Sequence, residues 1–99
     1  MKQNTISFLL ASDEIELLAS IVYREPALAE ILLQVKTEED GLRIRFSYEN
    51  LEDCLWALAY EAECENAFDR RQKLSAFAQK LGGYGRLRRY MAYIRSKTI

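Results

Sequence analysis

Polar and apolar residues alternate at the start of the chain. Ile6, Phe8 and Leu10 fall on one side of a strand over 5–11. Beyond it the period lengthens. Ile15, Leu18, Ala19 and Val22 recur at helical spacing and predict a helix over 13–24. Ser12 suits its N-cap, and Asp13, Glu14 and Glu16 place negative charge against its positive end. Glu25-Pro26 stops it, because the residue before proline avoids helical angles, and Pro26 suits the first turn of a second helix. Leu28, Ile31, Leu32 and Val35 fit the i, i+3, i+4, i+7 template across 26–36. Ile31, Leu33 and Val35 also alternate, as a strand turning through Glu38-Glu39-Asp40-Gly41 would. Helix is preferred because Ala27, Leu28, Ala29 and Glu30 all favour it.

From Leu42 the period returns to two. Leu42, Ile44 and Phe46 alternate with Arg43, Arg45 and Ser47, the pattern of a half-buried strand with one wet face. A third helix starts near Glu49–Asn50 and turns Leu51, Cys54, Leu55, Leu58 and Ala62 inward. A fourth, over 67–81, carries Leu74, Phe77, Ala78 and Leu81, and Gly82-Gly83 ends it through the left-handed conformation open to glycine. A last helix, over 86–97, aligns Leu87, Tyr90, Met91 and Ile94. At an offset of 36, Ile6, Phe8 and Leu10 match Leu42, Ile44 and Phe46, and Ile15, Leu18 and Val22 match Leu51, Cys54 and Leu58. Two strands pairing side by side, each followed by a covering helix, would produce that match. The expected fold is therefore α+β and helix-rich, with two short paired strands covered by four or five helices in a single domain over 1–99.

Composition fits such an object. The 99 residues, 49% apolar, 29% charged and 11% aromatic, are those of a folded globular chain of one domain. No stretch approaches the roughly 18 apolar residues that cross a bilayer. The segment Ile6–Ala11 is short for a signal peptide and runs straight into Asp13-Glu14, so a cytoplasmic location is expected, without membrane association. Cys54 and Cys64 on one helix would stand about 15 Å apart by rise alone, too far for the roughly 7 Å Cα separation of a disulfide. Both are expected as core or half-buried thiols.

Little in the chain offers catalysis. It contains no histidine, which removes the usual general base near neutral pH and the commonest metal ligand. The serines lack a Gly-x-Ser-x-Gly elbow, and Gly82-Gly83-Tyr84-Gly85 lacks the preceding strand and following lysine of a phosphate loop. Glu49 with Asp53 and Glu61 with Glu65 form carboxylate pairs at helical spacing, read here as a solvated acidic face and not as a calcium site. The chain is expected to be no enzyme, with no catalytic residues, no metal site and no cofactor.

Charge supplies the strongest functional signal. Residues 1–65 hold 14 acids against 5 bases, whereas residues 66–99 hold 9 bases against the single acid Asp69. The basic part suggests Arg70, Arg71, Lys73, Arg86, Arg88, Arg89, Tyr93, Arg95 and Lys97 as contacts to an acidic partner or to nucleic acid. Tyr84, Tyr90 and Tyr93 interleave with those cations, as stacking on bases would require. On the last helix, however, the cations flank the apolar stripe on both sides, as in an amphipathic helix docked through its long stems. A pI near 5.5 also differs from that of a dedicated nucleic-acid binder. The expected role is a small non-catalytic protein-interaction or scaffold domain, its partner a second copy in a homodimer or an acidic protein. RNA or DNA association through the basic helices is the alternative.

Overall fold

In the computed structural model, which describes residues 5–82, the two alternating segments pair as read. Strand β1 (Thr5–Leu10) lies antiparallel to β3 (Gly41–Ser47), with Ile6 opposite Phe46, Phe8 opposite Ile44 and Leu10 opposite Leu42. The register matches the two apolar rows position for position, as it must, since a slip of one residue would turn both rows to the wrong face. Phe8 and Phe46 meet edge to face, with ring centroids 6.0 Å apart.

A third strand joins them. Strand β2 (Lys36–Glu38) pairs antiparallel with β3 at Lys36–Arg43, Thr37–Leu42 and Glu38–Gly41, giving the order β1-β3-β2. The two-strand expectation is corrected here. Lys-Thr-Glu offers no apolar alternation to read, and the hairpin forms because Glu39-Asp40 makes a tight connection into Gly41. Gly41 takes φ +153°, and a Cβ there would come within 3.0 Å of the Leu10 carbonyl oxygen and 3.1 Å of Leu9 Cγ. Only glycine meets both demands.

The first two helices begin where expected and stop earlier. Helix α1 spans Ser12–Ala19, and its N-cap is Ala11, one residue before the expected Ser12. The Glu14 carboxylate compensates by accepting from the Ala11 N–H at 2.9 Å. The helix ends short of 24 because the Ser20 hydroxyl donates to the Leu17 carbonyl at 2.6 Å and turns follow. Ala19, expected inward, is exposed, and Ile21 in the turn is buried instead. Helix α2 covers Ala27–Leu33 after Pro26, with Leu28 buried, and packs against α1 and β3. Its shortness leaves residues 34–35 to lead into β2.

Helix α3 runs from Tyr48 to Cys64 directly off β3, and the Ser47 hydroxyl caps it by accepting from the Asn50 N–H at 3.1 Å. Helix α4 spans Phe68–Gly82. The chain divides into two units, Met1–Asp53 and Cys54–Ile99, with the division inside α3. In the first, Leu10, Leu18, Ile21, Leu28, Ile44, Phe46 and Leu51 are buried. In the second, Leu55, Leu58 and Ala62 of α3 and Leu74, Phe77, Ala78 and Leu81 of α4 are buried, as their spacing predicted. Gly82 approaches Leu55 so closely that an added Cβ would stand 2.7 Å from Leu55 Cδ1. The expected helix over 86–97 lies outside the described residues. The architecture is α+β, four helices with a three-stranded antiparallel sheet among the described residues.

Candidate interaction surface

The basic residues of α4 differ in what they face. Arg70 lies four residues before buried Leu74, so it projects over the apolar stripe and not away from it. Its Nη1 donates to Glu61 Oε2 at 3.0 Å and to Glu65 Oε2 at 2.5 Å. Glu65 is held twice, because its other oxygen accepts from the Ala67 N–H at 3.0 Å in the α3–α4 connection. The backbone donor first and Arg70 second keep its carboxyl below the usual carboxylate range, and the two carboxylates together raise the guanidinium. Glu61 is itself buried. The reading of Glu61 with Glu65 as a solvated acidic face is therefore corrected: a shared arginine bridges them and offsets their repulsion.

Arg71 stands 4.0 Å from Glu63, at the outer limit of an ion pair. Lys73 is exposed and lines a shallow hollow with Asp69, Gln72 and Ala76. Arg86, Arg88, Arg89, Tyr93, Arg95 and Lys97 lie outside the described residues. The structure thus ties the first two of the nine candidate contacts to carboxylates of α3 and leaves Lys73 toward solvent.

Most other surface features lie outside the basic segment. On α3, Trp56 and Tyr60 approach with ring centroids 6.1 Å apart. At 100° per residue, Glu49, Glu52, Asp53 and Glu63 fall with them inside an arc of about 100°. Cys54 is buried as expected; Cys64, at the end of α3, is exposed, a correction to the half-buried reading. Leu33 stands out at 85% exposure, with Tyr23, Tyr48 and Phe68 also exposed. Arg24 covers the Tyr23 ring at 5.3 Å.

The two edges of the sheet differ most. Strand β2 is three residues long and wholly exposed, and Glu38 accepts a two-pronged hydrogen bond from Arg43, Nε at 3.1 Å and Nη2 at 2.9 Å. That fork holds the Glu38 carboxyl below its ordinary range. Strand β1 is twice as long and contains no charged residue and no proline. β3 occupies one of its edges; the other has no strand beside it among the described residues.

Among the described residues no group of three or more Cys, Asp or Glu side chains is placed to hold a metal ion, and no helix is long and apolar enough to cross a membrane. No family model, curated protein or solved structure matches the chain.

Proposed function

We propose that this chain is a small cytoplasmic, non-catalytic interaction domain that associates with a second copy of itself through the edge of β1. The asymmetry of the sheet edges carries the reading. A free strand edge offers a row of backbone donors and acceptors, and proteins that must keep such an edge unpaired shorten it or charge it. β2 has both protections, and β1 has neither. Two β1 strands meeting antiparallel about a twofold axis would continue each sheet into the other, with the same patch used on both copies.

The cations of α4 support self-association less directly. Arg70 and Arg71 already face carboxylates of α3, which reduces what they can offer to an acidic partner or to phosphate. Sedimentation equilibrium of the full chain over a wide concentration range tests the proposal. The expected mass rises from the 11.5 kDa of one chain toward twice that value. Labelled oligonucleotides in the same buffers at low salt provide the opposing arm. A fixed single-chain mass together with oligonucleotide capture would overturn self-association in favour of nucleic-acid binding.

A further inference from the structure

We draw no further inference here: the strongest candidate, the face of α3 on which Trp56 and Tyr60 sit among Glu49, Glu52, Asp53 and Glu63, is an acidic stripe with nothing in the structure to show what covers it.

Discussion

β1 and β2 flank the same strand, β3, yet different forces hold them. β1 is fastened by three apolar cross-strand pairs and by the Phe8–Phe46 ring contact. β2 is fastened by a tight turn and by one exposed arginine–carboxylate fork. Burial of apolar side chains contributes far more than an exposed ion pair, whose worth is about 0–1 kcal/mol in general. The lesson is that the strand contributing most to the core is also the one whose outer edge lacks protection. Stability and association risk lie in the same six residues.

Substitutions separate the two sides, beginning with the largest effect. Phe46 is fully buried and faces β1, so Phe46→Ala is expected to cost about 3–5 kcal/mol in urea unfolding. Thr37→Ala in β2, an exposed position, should stay within about 0.5 kcal/mol. Equal costs would break the comparison. At the turn, Gly41→Ala meets both a positive φ and the Leu10 carbonyl, and a loss of about 1–3 kcal/mol is expected in the same assay.

The second arginine cluster sharpens what the β2 fork is worth. Arg70→Ala would strip a buried carboxylate, Glu61, of a hydrogen-bonded partner and should cost about 1–3 kcal/mol. Arg43→Ala should leave the thermal midpoint almost unchanged, because both members of its pair are exposed. A smaller effect of the Arg70 change than of the Arg43 change would contradict this account of both clusters.

On the association side, Thr5→Lys puts a charge on the exposed face of β1, opposite Ser47, without touching its buried row. It should leave the unfolding midpoint of the dilute protein in place and weaken self-association at least about tenfold by sedimentation, since edge lysines oppose strand pairing. Salt should change wild-type association little, because the edge is uncharged.

The smallest effect is that of pH. Glu38 has a folded pKa below its unfolded one, so its contribution is present above the unfolded value, about 4.3, and is lost as pH falls through the folded value. Glu65 obeys the same sign. Amide exchange followed from neutral pH to about pH 3, with intrinsic rates corrected, should therefore show β2 losing protection before β1.

The sequence revealed those parts of the fold in which burial follows a simple period. Ile6, Phe8 and Leu10 against Leu42, Ile44 and Phe46 announced both long strands, and Leu74, Phe77, Ala78 and Leu81 announced α4. β2 was silent because hydrogen bonding to β3, not apolar content, makes it a strand. The end of α1 was misplaced because a single hydroxyl, that of Ser20, competes with the helix, an effect that periodicity does not register. In α3, Ala57, Ala59 and Glu61 are buried beyond the expected stripe, since alanine gives little apolar signal and Glu61 depends on an arginine nine residues away.

Surface chemistry was less legible. The charge run drew attention to Arg70 as a contact, although its place four residues before Leu74 marks it as a residue leaning over the core. The unprotected edge of β1 became visible only once β2 was known to close the opposite side of the sheet.

Amide hydrogen exchange on the wild-type chain, compared between dilute and concentrated solution, tests the β1 edge most directly. The account predicts that amides within Thr5–Leu10 gain protection as concentration rises, while those of Lys36–Glu38 do not change. Identical exchange of β1 at both concentrations, or protection gained at β2 instead, would contradict it.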